Sequence, residues 1–128
     1  MDCPDCGAPT VAFSVPPALC DHAPDDAAAA AICTDCLAVT AATDPADDPA
    51  FDAVSDAFPT GPAAVPTALF LGLIRSLAVN REAIGTLVER IERAGADPFL
   101  VTDRLAADPD LSPAVDLDRR RHQLEQLL

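Results

Sequence analysis

Two Cys-x-x-Cys pairs, Cys3-Pro-Asp-Cys6 and Cys33-Thr-Asp-Cys36, constrain this chain more than any other feature. Each pair can turn two thiolates toward one point, and four thiolates from two such knuckles match tetrahedral coordination of a structural Zn²⁺. The 26 residues between the pairs suffice for a small β-ribbon. A ribbon of about forty residues buries too little surface to hold itself, so the metal would contribute most of its folding free energy. Gly7 suits the tight turn after the first pair, whereas Leu37 stands in the equivalent place after the second. One Zn²⁺ held by Cys3, Cys6, Cys33 and Cys36 is expected, closed off by four protein ligands and therefore structural.

The rest of the chain divides by composition. Residues 1–41 read as the ribbon: Val11, Phe13 and Val15 alternate on one face of a short strand that stops at Pro16-Pro17. A loop with Asp21, Asp25 and Asp26 then leads through five alanines and Ile32 to the second knuckle. Residues 37–40 suit a strand pairing back. Residues 42–59 read as an Asp/Pro-rich linker with a short docked helix, opened by Asp48-Pro49 and presenting Phe51, Val54 and Phe58. Residues 60–128 read as a helical module.

Four helices are expected in that module. The first opens at Pro62 or Pro66 and runs to about Val79, apolar nearly all round and so buried. Asn80 caps the second, where Ile84, Leu87, Val88 and Ile91 form a stripe and Gly95 suits the stop. Asp97-Pro98 opens the third, with Phe99, Val101 and Leu105 as apolar candidates. Ser112-Pro113 opens the fourth, which carries Leu117, Leu124, Leu127 and Leu128. Short connections favour packing as a small bundle. The fold class is thus α+β: an N-terminal zinc ribbon followed by a small helical bundle.

Charge says more about solvent than about partners. Acids outnumber bases 21 to 8, giving a net −13, and the bases are all arginine. This lysine-free, Asp-rich composition resembles the proteomes of salt-in haloarchaea, whose carboxylate-rich surfaces stay hydrated in concentrated KCl. At molar salt the Debye length is about 3 Å, so such a charge repels little beyond contact. The longest apolar stretch, residues 61–74, is short of the roughly 20 residues a membrane span needs. Nothing near Met1 resembles a secretory signal. Five cysteines in that setting read as cytoplasmic thiolates and not as a disulfide framework.

Other chemistry-bearing residues are sparse. Cys20 and His22 form a Cys-x-His element that reads either as a spare ligand or redox thiol, or, more plainly, as a partly buried thiol beside a solvated imidazole. With His122 the only other histidine, no catalytic triad can be assembled and no enzymatic activity is expected. Arg119, Arg120 and Arg121 are the one basic cluster, suited to phosphates or an acidic partner or, more plainly, to i,i+3 and i,i+4 pairs within a helix that begins with Asp116 and Asp118. Ala64, Ala68, Gly72 and Ser76 form a small-residue stripe for close helix packing, inside the bundle or against a partner. The same four paired sulfurs can also hold iron, but rubredoxin-like proteins share an aromatic core that this chain, with five Phe and no Trp or Tyr, lacks.

With Cys3-Pro-Asp-Cys6-Gly7 at its start, the chain resembles haloarchaeal small zinc-finger proteins with Cys-Pro-x-Cys-Gly knuckles. The segments Ala53–Pro59, Leu87–Gly95, Asp103–Asp110 and Arg119–Leu128 are similar to an uncharacterised haloarchaeal family. The resemblance implies zinc ligands at the four paired cysteines and carries over nothing catalytic. The expected role is a cytoplasmic protein-interaction adaptor or regulatory module, meeting a protein partner or a second copy through the helical module. The alternative is a nucleic-acid-binding, transcription-associated regulator using the ribbon edge and Arg119 to Arg121.

Overall fold

The computed structural model describes residues 2–127. Strands β1 (Thr10–Ser14), β2 (Ala29–Cys33) and β3 (Val39–Ala41) form an antiparallel sheet with β2 in the middle. Val11 pairs with Ile32 and Phe13 with Ala30, while β3 places Val39 beside Ile32 and Ala41 beside Ala30. Paired residues share a face, and Val11, Phe13, Ala30 and Ile32 all enter the main hydrophobic core.

The alanine run is the central strand, an element its composition does not announce. Alanine is the best helix former, but all five residues of β2 are buried and its backbone pairs on both sides. Tertiary pairing overrides local propensity here. The strand expected over residues 37–40 begins two residues later, because Leu37 belongs to the knuckle turn with a left-handed φ of 65°.

Within residues 42–59 the short helix expected after Asp48-Pro49 is not formed. A single 3₁₀ turn, Phe51–Ala53, is followed by turns that bury Phe51, Val54 and Phe58. Ser55 explains the interruption: its hydroxyl oxygen accepts from the Ala57 amide at 3.1 Å, and its O–H donates to Asp108 Oδ2 at 2.7 Å. Such local side-chain bonding competes with helix continuation. Phe51 stacks on Phe58 with centroids 5.2 Å apart and meets Phe13 at 5.4 Å, joining linker to sheet.

Beyond a 3₁₀ turn at Gly61–Ala63, four α-helices follow: α1 (Ala64–Leu73), α2 (Arg81–Arg93), α3 (Pro98–Ala106) and α4 (Leu117–Leu127). Helix α1 is buried on most sides and ends sooner than expected, in a 3₁₀ turn at Ile74–Ser76. The small-residue stripe serves packing within the chain. Ala64 and Ala68 are buried, and a Cβ at Gly72 would lie 2.9 Å from Val39 Cβ, so glycine lets α1 approach β3. Ser76 is exposed.

Helix α2 buries its stripe of Ile84, Leu87, Val88 and Ile91. Asn80 stands at its N-cap, but its side chain donates to the Leu73 carbonyl at 3.2 Å and makes no capping bond. The helix ends as its glycine predicts: Gly95 takes φ 93°, and the Gly95 and Ala96 amides donate to Glu92 and Ile91 carbonyls. Asp97 caps α3 by accepting from the Phe99 and Leu100 amides.

Helix α4 starts at Leu117, not at Ser112-Pro113. Asp116 accepts from the Arg119 amide at 3.1 Å and provides the cap. Residues 112–114 are instead a strap laid on the second knuckle, with the Ser112 amide donating to the Asp35 carbonyl and the Ala114 amide to the Cys36 carbonyl, both at 3.0 Å. The main hydrophobic cluster runs from Phe13 and Leu37 through Phe51 and Phe58 to Phe70, Ile91, Leu105 and Leu124, while Cys3, Cys33, Cys36 and Ala38 form a smaller cluster of their own.

Candidate metal centre

The cysteine cluster is assembled by two turns of matching geometry. In the first, the Cys3 amide donates to the Ala8 carbonyl at 2.8 Å and the Gly7 amide to the Cys3 carbonyl at 2.9 Å. In the second, the Cys33 amide donates to the Ala38 carbonyl at 2.9 Å. Gly7 has φ 79° and Leu37, at the equivalent position, φ 65°. A left-handed conformation costs a side-chain-bearing residue about 1–2 kcal/mol. Leu37 is 4% exposed within the main core, and full burial of a leucine contributes about 1.5–3 kcal/mol. The departure from glycine therefore anchors the knuckle at little net cost.

The pairing of β1 with β2 brings the turns together. Thr10 lies opposite Cys33, and Thr34 donates to the Pro9 carbonyl from both its amide, at 3.0 Å, and its hydroxyl, at 2.8 Å. The four Sγ atoms of Cys3, Cys6, Cys33 and Cys36 lie within 4.8 Å of one another. Cys3 Sγ to Cys36 Sγ is 3.7 Å and Cys6 Sγ to Cys33 Sγ 3.4 Å. A tetrahedral ion with metal–sulfur bonds of about 2.3 Å separates its sulfurs by about 3.8 Å, and a disulfide brings them to about 2.05 Å. The spacing fits the ion, so the four cysteines can hold one metal.

Electrostatics agree with that fit. The Asp35 and Cys36 amides both donate to Cys33 Sγ at 3.3 Å, so backbone dipoles stabilise negative sulfur. Burial alone would raise the Cys3 thiol, but amides of Asp5 and Cys6 overcome it and bring it to about 7. Burial and the neighbouring thiols push Cys36 up to about 12. Four crowded sulfurs cannot all ionise unaided; a bound cation removes that conflict, since a coordinating thiol is deprotonated outright.

The remaining candidates lie elsewhere. Among the described residues, Cys20 is outside the cluster; its half-buried thiol donates to the Val15 carbonyl at 3.8 Å. His22 is half-buried beside Val39 and Gly72. The arginine cluster is dispersed around α4. Arg121 ties α4 to α3 through Asp103 at 2.9 Å, lies 5.5 Å from the Phe99 ring centroid, and pairs with Glu125. Arg120 donates to Gln123 and to the Arg75 carbonyl. The sequence reading did not find the Ser112–Ala114 strap, whose bonds to the knuckle span more than seventy residues and are made by backbone groups.

Fold and site define a small α+β protein built on a four-cysteine knuckle pair. The chain matches the model of a family of unknown function (DUF6276) over residues 2–128, and it belongs to that family. No curated protein and no solved structure matches it. No helix of the described residues is long and apolar enough to cross a membrane.

Proposed function

We propose that the protein is a zinc-stapled adaptor or regulatory module of the cytoplasm, without catalytic activity, that works by binding another protein. The observation that carries this reading is the sulfur cluster, whose 3.4 and 3.7 Å spacings suit one tetrahedral ion with all four positions taken by protein. A site of that kind has no open position for a substrate and acts as a structural staple. Zinc is favoured because an all-thiolate tetrahedron on two knuckles is a preferred zinc environment. The shared core and the strap on Asp35 and Cys36 make the staple a support for the helical half, whose outer faces then form the working surface.

Two measurements test the reading. Native mass spectrometry of protein purified without added metal is expected to show one Zn per chain, lost with chelator; iron, or a metal-free chain of unchanged fold, would sink the staple. Cross-linking in lysate at native salt is expected to capture a protein partner or a second copy, and a chain that captures neither contradicts the adaptor role.

A further inference from the structure

The adaptor reading leaves open where a partner sits, and one groove is lined by two arginines and no acid. It lies between the Pro17–His22 turn, the start of α1 and the C-terminal end of α2, and encloses about 550 Å³. Its apolar wall includes the exposed rings of Pro16 and Pro62 together with buried Leu19 and Pro66. Arg90 and Arg93 line its other side, and no carboxylate lines it. In a chain where acids outnumber bases 21 to 8, two arginines with no acid in the same lining make a local excess of positive charge.

The two guanidiniums are not committed elsewhere. Arg75 and Arg121 pair with acids, and Arg81 and Arg120 donate to backbone carbonyls. Among the described residues, neither Arg90 nor Arg93 forms an ion pair. Residues three apart on a helix are neighbours on one face, so both charges serve one site. Cations near a helix C-terminus also complement its dipole. Here, however, the carbonyls of Arg90, Ile91 and Glu92 already accept from the amides of Ala94, Ala96 and Gly95, so no arginine is needed as a cap.

We propose that this groove, taking the adaptor reading as given, docks an extended segment of a partner protein in which carboxylates alternate with proline or aliphatic residues. Charge complementarity selects the acids, because guanidinium forks bind carboxylates bidentately. The rigid proline wall offers apolar contact to the residues between them. The open groove favours a chain that continues past both ends over a small anion, which would leave most of its surface in water.

The experiment selects random heptapeptides on the full, metal-loaded chain at the lowest salt that keeps it folded. Enrichment of Asp or Glu beside Pro, Leu or Val is expected. The strongest sequence, made as a fluorescein-labelled peptide, should lose about tenfold or more in affinity with R90A/R93A and with R90K/R93K, and little with R104A. The lysine pair keeps the charge near the helix end, so a purely structural role predicts unchanged binding for it. Selection without acidic enrichment, or equal binding by the double variants, overturns the proposal. So does succinate binding as tightly as the peptide. Partner cross-linking that survives R90A/R93A would remove the groove while leaving the adaptor reading intact.

Discussion

The two knuckles share a backbone plan and differ in everything around it. The first ends on Gly7 and leaves Cys6 exposed; the second ends on Leu37 and buries both Cys33 and Cys36. Among the described residues, the ion pair that the first makes with the helical half is an exposed one, Asp5 with Arg75 at 3.8 Å, a kind of contact worth about 0–1 kcal/mol. The second is continuous with β2 and β3, sends Leu37 into the core and carries the Ser112–Ala114 strap. A metal on this pair would therefore join one peripheral turn to one that the core already positions.

That asymmetry is sharpest at the cysteines themselves. Cys33→Ser should abolish metal binding and destabilise the chain by about 5 kcal/mol or more, since it removes both a ligand and a buried sulfur that accepts two amides. Cys6→Ser should weaken metal binding yet keep native helical circular dichroism. Equal collapse of both variants in metal analysis and denaturant melts would break the comparison.

At the turn residues, Leu37→Ala should cost about 2–5 kcal/mol through the cavity it leaves, whereas Gly7→Ala should cost only about 1–2 kcal/mol of left-handed strain. Leu37→Gly relieves that strain and should be the milder of the two Leu37 variants by about 1 kcal/mol. Urea midpoints of the three variants decide the ranking.

Behind the second knuckle, Gly72→Ala should destabilise by about 1–3 kcal/mol by forcing α1 away from Val39. Val39→Ala in the same chain should recover part of that loss, a coupling that a double-mutant cycle reads directly.

The smallest effect concerns pH. The Ser55 hydroxyl, with help from the Asp110 amide, holds Asp108 below the usual carboxylate range. A depressed folded pKa contributes stability above the unfolded value, near 3.9, and loses it as pH falls through the lower folded value. Ser55→Ala should therefore lower the melting temperature at neutral pH, with the difference shrinking as acid titrates Asp108.

Local rules located what local forces decide. The cysteine pairs, the strand at Val11 and Phe13, the α2 stripe, the Asp97 cap and the Gly95 stop all follow from spacing or from φ preferences within one turn of chain. The same rules placed α4 too early at Ser112-Pro113, lengthened the turn at Phe51, and gave no account of Ala29–Ala31. In each case a distant partner decided the outcome: Asp35 and Cys36 for the strap, Asp108 for Ser55, and strands on both sides for the alanines.

The amino-acid sequence alone singled out the four cysteines that come together, the helical character of the second half and the net charge, because cysteine spacing, side-chain periodicity and ionisation belong to residues in short windows. Only the tertiary structure decided that both halves share one core, that a leucine can take a glycine's conformation, and that Arg90 and Arg93 border a groove free of acids. Those outcomes depend on long-range burial and backbone pairing, whose free energies exceed the local preferences they override.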